Sequence, residues 1–257
     1  RKIQYTTDAQ GRRINPKSSY DGATKYAVFG GCSFTFGSYV DSDSTFPELF
    51  SDLNSAYKPY NYGVGGYGPQ MPYLQAKHTI QSTDIVENEG IFVYVIAGDD
   101  HINRLIGTVR TDYHWCSNHP WLEIENDELV EKGLHEENGW MPFYELLTSS
   151  AIFKYHNIQI PLRIGEDHYK LFGKVVDETE REFRQKFPNS RFVVIKYPNI
   201  TIPFEKYFKN ENVEILDLKH LNEQFNSDSE LKIPHEGHPT GKAYMILAKE
   251  LKTYLES

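Results

Sequence analysis

The chain has 257 residues, 39% of them apolar and 25% charged, an ordinary balance for a globular protein. Its formal net charge is -9, which disfavours nucleic acid and anionic membrane surfaces as partners, because both reward basic patches. No run of eighteen apolar residues occurs, so no membrane span is expected.

Residues 1–24 are polar and turn-rich and read as an extension wrapped around the outside. No signal peptide is visible, but Arg1 is not an initiating Met. An exported or periplasmic protein with its upstream segment removed is therefore the expectation, with the cytoplasm still open. Lys25–Gly30 (KYAVFG) is the first buried strand. Gly30-Gly31-Cys32-Ser33-Phe34-Thr35-Phe36-Gly37 follows it at once. A serine at the carboxyl end of a parallel strand stands where open α/β sheets place their ligands. Ser33 could equally cap the next helix. Cys32 reads as a small core residue, and a bridge to the second cysteine, Cys116, has nothing to support it.

Thr45–Leu53 opens with a cap residue and an early proline and predicts a helix. Tyr57–Tyr62 is a weaker strand. It leads into Asn61-Tyr62-Gly63-Val64-Gly65-Gly66-Tyr67-Gly68, whose glycines imply close backbone approach or positive φ. A backbone N–H at Gly66 could serve an oxyanion, or the stretch could be a plain turn. Pro69–Gln81 reads as a helix and Ile91–Ala97 as a strong strand. Ala97-Gly98-Asp99-Asp100-His101 then places polar groups at that strand's end, with Asp99 either at the crevice or capping a helix through Asn103.

Thr108–Gly165 is too long for a simple connection and reads as an insertion packed over one end of the sheet. It holds Trp115, Trp121 and Trp140, and a hairpin over Trp121–Val130 with its turn at Asn126-Asp127. Asp167–Phe187 predicts a long helix with Leu171, Val175, Phe183 and Phe187 on its apolar side. Arg191–Tyr197 and Val213–Leu218 complete a parallel sheet of about five strands. Strands alternating with helices imply helices on both faces, hence one doubly wound α/β domain over 1–257. His235-Glu236-Gly237-His238-Pro239-Thr240-Gly241 precedes a last helix, Gly241–Leu255. Histidine is the usual base for a serine hydroxyl and needs an acceptor on its other nitrogen. A metal site from His235, Glu236 and His238 lacks the spacing such sites use, so no metal and no cofactor is expected.

Four special loops thus occur in order along one α/β chain. Here the sequence resembles the SGNH (GDSL-like) hydrolase family, from about Tyr5 to Leu255. GGCSFTFG resembles that family's GDSFTFG, with Cys32 for Asp; NYGVGGYG resembles NAGVPGYG; EGHPTGKAY resembles DGHPNALGH. The resemblance implies a flavodoxin-like three-layer α/β/α sandwich. It implies Ser33 as nucleophile, His238 as base, Glu236 as the carboxylate orienting it, and Ser33 and Gly66 N–H groups as oxyanion donors. Many relatives carry an Asp three residues before the histidine, where this chain has His235. In the third block, Gly-x-Asn-Asp in the family, AGDD is read with Asp99 in the asparagine's place. An ionised Asp only accepts hydrogen bonds, so His101, Asn103 or Asp100 stand as alternates.

The implied reaction is hydrolysis or transfer of an acyl ester through an acyl-serine. The resemblance to bacterial polysaccharide-associated members points to carbohydrate O-acetyl groups on a small molecule or polysaccharide. A catalytically degenerate glycan-binding module is the alternative. A flavodoxin-like cofactor binder would fit the sheet but leaves PHEGHPTG unexplained.

Overall fold

The computed structural model describes residues 3–108, 116, 118–156, 158 and 160–257. Strands β1 (Lys25–Gly31), β2 (Tyr57–Asn61) and β3 (Glu89–Ile96) match the first three expected strands. A hairpin, β4 (Pro120–Glu125) and β5 (Glu128–Leu134), precedes β6 (Ser190–Lys196) and β7 (Val213–Asp217). The central sheet runs β2-β1-β3-β6-β7 with every pairing parallel. Counted without the hairpin this is the 2-1-3-4-5 order of flavodoxin-like folds, with its topological switch between β1 and β3.

Alternation along β1 sets the layers. Tyr26 packs edge-on against Phe183 and Phe187 of the long helix Glu166–Lys186. Phe29, an odd number of residues away, points to the opposite face and meets Phe46 and Phe50. The helices are α1 (Ser33–Phe36), α2 (Phe46–Leu53), α3 (Gln70–Leu74), α4 (His101–Leu105), α5 (Met141–Ser149), α6 (Ala151–Tyr155), α7 (Glu166–Lys186), α8 (Asn222–Ser227) and α9 (Gly241–Glu256). α2 packs on α9 over one face, and α3 on α7 over the other. β1, β3 and β6 are buried almost end to end, as strands covered on both faces must be.

The expected helix over Pro69–Gln81 is shorter than its pattern implied. α3 gives way to a π-helical turn over Gln75–Thr79. Lys186, the last residue of α7, donates to the carbonyls of Ala76, Lys77 and Ile80 and so satisfies the end of that turn. The hairpin turn falls on Asn126 and Asp127, both at positive φ (52° and 65°), the conformation that a tight two-residue turn demands. Leu122 of the hairpin joins the core, and β4 and β5 rest against α3, α4 and α7. Trp121 is anchored on Glu123 while Trp140 is 66% exposed; Trp115 lies outside the described residues.

The N-terminal stretch is more than a wrapping. Arg13 is buried and donates to the carbonyls of Phe36, Gly37 and Val40, and it pairs with Asn61 at the outer edge of β2. A buried guanidinium of this kind needs hydrogen bonds, and here three carbonyls of one turn take its two Nη groups while Nε has no partner among the described residues. Cys32 and Cys116 are both buried and unbridged. Among the described residues no helix is long and apolar enough to cross a membrane.

Candidate active site

Gly31 ends β1 at φ 145°, a backbone that favours glycine, and a Cβ there would collide with the Thr35 hydroxyl. The turn this permits places Cys32 just before α1 and Ser33 as its first residue. Asn61 ties the second loop to this one. Its amide donates to the Thr35 carbonyl at 3.1 Å and its oxygen accepts from Gly63 N–H at 3.0 Å. The glycine loop therefore lies over the serine, and a Cβ on Gly65 would stand 4.0 Å from Ser33 Cβ. Gly66 sits at φ 89°. Neither the Ser33 nor the Gly66 N–H has a hydrogen-bond acceptor among the described residues.

His238 arrives from the other end of the chain on a short loop. A bridge between Lys232 and Pro239, with Ile233 N–H donating to the His238 carbonyl at 2.7 Å, closes that loop. Thr240 then caps α9 by accepting from Ala243 N–H. His238 Nε2 lies 2.9 Å from Ser33 Oγ. The geometry a general base needs is thus present without ligand.

The third partner differs from the sequence expectation. His238 Nδ1 lies 3.3 Å from the backbone carbonyl of Glu236, not from its carboxylate. A carbonyl only accepts, so Nδ1 carries the proton and Nε2 is left to accept from Ser33. The Glu236 side chain instead reaches the Tyr39 hydroxyl, whose pKa it raises. His235 is exposed at φ 66°. His235, Glu236 and His238 therefore do not converge. Among the described residues no group of three or more His, Cys, Asp or Glu could hold a metal ion.

Burial, the largest influence, lowers the His238 pKa; the Glu236 carbonyl and charge act the other way, and Arg104 lowers it further. Aromatic rings flank the imidazole, with Phe34 at 5.2 Å and Tyr39 at 4.9 Å between ring centroids. Tyr39 is 41% exposed and held at φ 68°, uncommon for a residue with a side chain.

The loop after β3 corrects the expected oxyanion set. Asp99 accepts from Thr201 N–H and Ile202 N–H, each at 3.0 Å, and from the Thr201 hydroxyl. A carboxylate so committed braces the loop after β6 and donates nothing. Counted from Gly98, the position after x in Gly-x-Asn is Asp100, one residue later than the expected Asp99. Asp100 is paired with Arg104 one helical turn on, at 2.9 Å to Nε. His101 is fully buried beneath, with Nδ1 3.0 Å from the Tyr94 hydroxyl and its pKa lowered to about 3 by burial first and Arg104 second. Asn103 is buried and accepts from the Thr108 hydroxyl. His101, with no exposed surface, does not reach a ligand in the crevice. Sequence reasoning passes over Arg104 and Tyr39; the acid–base spacing Asp100–Arg104 on one helix face is the available signal for the first.

A cavity of about 610 Å³ lies elsewhere, between Trp121 and Ile124 of the hairpin, Met141 and Tyr144 of α5, and Leu171 of α7. Neither Ser33 nor His238 lines it. The hydrogen-bonded serine and histidine locate the candidate chemistry better than cavity size does.

No known family's sequence profile matches the chain, and no curated protein sequence does so significantly. Solved structures do. One is a carbohydrate esterase whose active site displays divergent catalytic and non-catalytic binding functions. It aligns over 98% of this chain and 69% of its own, at 12% identity and a TM-score of 0.53. A carbohydrate esterase family 2 enzyme with a carbohydrate-binding domain, from Corynascus thermopiles (Myceliophthora fergusii), aligns over 95% and 68%, at 9% identity and 0.49. A member of the lipolytic G-D-S-L family from Veillonella parvula aligns over 89% and 97%, at 10% identity and 0.48. At 12% identity, what this chain shares with the first of these is the fold.

Proposed function

We propose that this chain is an SGNH-type serine hydrolase or acyltransferase acting on carboxylic esters, with O-acetyl groups on carbohydrate as its substrate class. The observation that carries the reading is the 2.9 Å contact between Ser33 Oγ and His238 Nε2 at the carboxyl ends of a parallel sheet. The resemblance of the serine, glycine and histidine loops to that family supports it, as does a fold shared with a carbohydrate esterase.

In this reading Ser33 Oγ attacks the ester carbonyl carbon while its proton passes to His238 Nε2. The carbonyl π electrons move to oxygen, and that oxyanion meets the N–H groups of Ser33 and Gly66. Collapse breaks the bond to the alcohol, which leaves with the proton from His238. Water, or a second alcohol, then gives its proton to the same nitrogen and attacks the acyl-serine, and the bond to Ser33 Oγ breaks as His238 returns that proton to the serine oxygen. Hydrolysis or acyl transfer results according to which acceptor arrives. The Glu236 carbonyl steadies the imidazolium formed in each half.

Hydrolysis of p-nitrophenyl acetate and release of acetate from an O-acetylated polysaccharide test this directly. Both should be lost in Ser33→Ala and His238→Ala. A second reading, a glycan-binding module without turnover, is favoured by Asp99 and Asp100, neither of which offers an amide donor to the site. It predicts binding to the polysaccharide with no acetate released.

A further inference from the structure

The Asp100–Arg104 pair has an electrostatic consequence for the serine site, one that rests on Ser33 acting as the nucleophile. A site with two backbone donors leaves one side of the oxyanion without a partner, and a carboxylate at Asp100 alone would repel the developing charge. Asp100 is not alone. Arg104 Nε and Nη2 both donate to its Oδ2, with the side chains 25% and 15% exposed for Asp100 and Arg104. The two residues are one turn apart across the start of α4, which leaves β3 at the sheet's topological switch.

The guanidinium also lies against the glycine loop. Its Nη1 is 3.4 Å from the Tyr67 carbonyl, one residue past the Gly66 N–H. A Cβ on Gly68 would stand 3.2 Å from Arg104 Cβ, so the stem of the arginine packs on that loop. Burial raises the Cys32 thiol pKa and lowers that of the His238 imidazole, and at both groups the Arg104 charge acts to lower it. An arginine stays protonated throughout the working range, so this charge does not vary with pH.

We propose that Arg104, oriented by Asp100 across the glycine loop, supplies the positive charge that stabilises the oxyanion formed on Ser33 attack. Asp100 is then a positioning residue, and the aspartate at the expected amide position is compensated by a cation and not simply lost. No proton moves on Arg104. It acts while the carbonyl electron pair resides on oxygen, so its removal should lower kcat more than it raises KM.

The test measures kcat and KM on p-nitrophenyl acetate for wild type, Ser33→Ala, Arg104→Met, Arg104→Lys and Asp100→Asn, with a thermal melt of each. Loss of an oxyanion partner costs on the order of a hundredfold in kcat, and that is expected of Arg104→Met with KM changed less than about threefold. Arg104→Lys keeps the charge and should retain kcat within about tenfold. Asp100→Asn keeps an oxygen for the guanidinium but weakens its hold, so kcat should fall less than in Arg104→Met and stay within about tenfold of wild type. A pair that merely fixes α4 predicts equal losses in Arg104→Met and Asp100→Asn that track their melting temperatures, and that result overturns the proposal. An active wild type, a silent Ser33→Ala and an Arg104→Met with unchanged kcat overturn it too, while leaving the serine reading intact. A Ser33→Ala as active as wild type overturns both.

Discussion

Replacing Glu236 separates two ways of orienting a catalytic histidine. In a serine–histidine–carboxylate triad, removing the orienting carboxylate costs about 10⁴ in kcat, because the imidazole takes the wrong tautomer. Here Nδ1 faces the Glu236 backbone carbonyl at 3.3 Å, a group that any substitution at 236 retains. What Glu236→Gln removes is an exposed carboxylate whose charge raises the His238 pKa. Exposed charge pairs are worth at most about 1 kcal/mol, so kcat/KM on p-nitrophenyl acetate should fall by no more than about fivefold. The sign of the pH effect is also fixed. Losing a charge that favours the imidazolium lowers the histidine pKa further, and the acid limb of kcat/KM should move to lower pH. Steady-state rates across the acid limb and up to neutral pH, for wild type and variant, decide the matter. A loss of a thousandfold or more, with the fold intact by circular dichroism, would refute the carbonyl account and restore the carboxylate to the triad.

The same geometry sets other outcomes. Because burial lowers the His238 pKa, kcat/KM of the wild type should rise with pH through a midpoint below the usual histidine value of about 6.5. His101 is held neutral with a pKa of about 3, so the unfolded chain protonates it first and its share of stability is lost as pH falls below about 6.5. The stability difference between wild type and His101→Gln in urea should therefore shrink by about 2 kcal/mol between about pH 7 and about pH 5; a pH-independent difference contradicts this. Arg13→Met leaves three carbonyls of the turn behind α1 without their donor and should cost about 2–4 kcal/mol, read as a lower melting temperature. Asp99→Ala should lower the melting temperature by releasing Thr201 and Ile202, with kcat changed less than about tenfold. A hundredfold loss of kcat there would return Asp99 to the oxyanion site.

The sheet was legible because its strands are short apolar runs between turn residues, a pattern that burial on both faces imposes. The loops that bring Ser33 and His238 together were legible because each follows or precedes an element at the sheet's carboxyl edge, where glycines and short loops are needed to bring backbone and side chains together. The partner of His238 was not, because a backbone carbonyl leaves no mark on residue identity. The third block misled for a related reason: adjacent aspartates look alike in sequence, yet Asp99 faces the loop after β6 and Asp100 faces Arg104. The π turn after α3 depends on Lys186, about a hundred residues away, and local periodicity carries no trace of such a contact. Arg13 shows the same limit, since a polar N-terminal stretch reads as surface until the turn that buries it is known.

The central claim is that Ser33 is a nucleophile activated by His238. Reaction of the folded protein with a fluorophosphonate probe, with peptide mapping of the adduct, tests it most directly. The account predicts one adduct on Ser33, none in Ser33→Ala, and labelling slowed at least about a hundredfold in His238→Ala. A folded wild type that takes up no probe, or a Ser33→Ala variant labelled as fast as wild type, would contradict it.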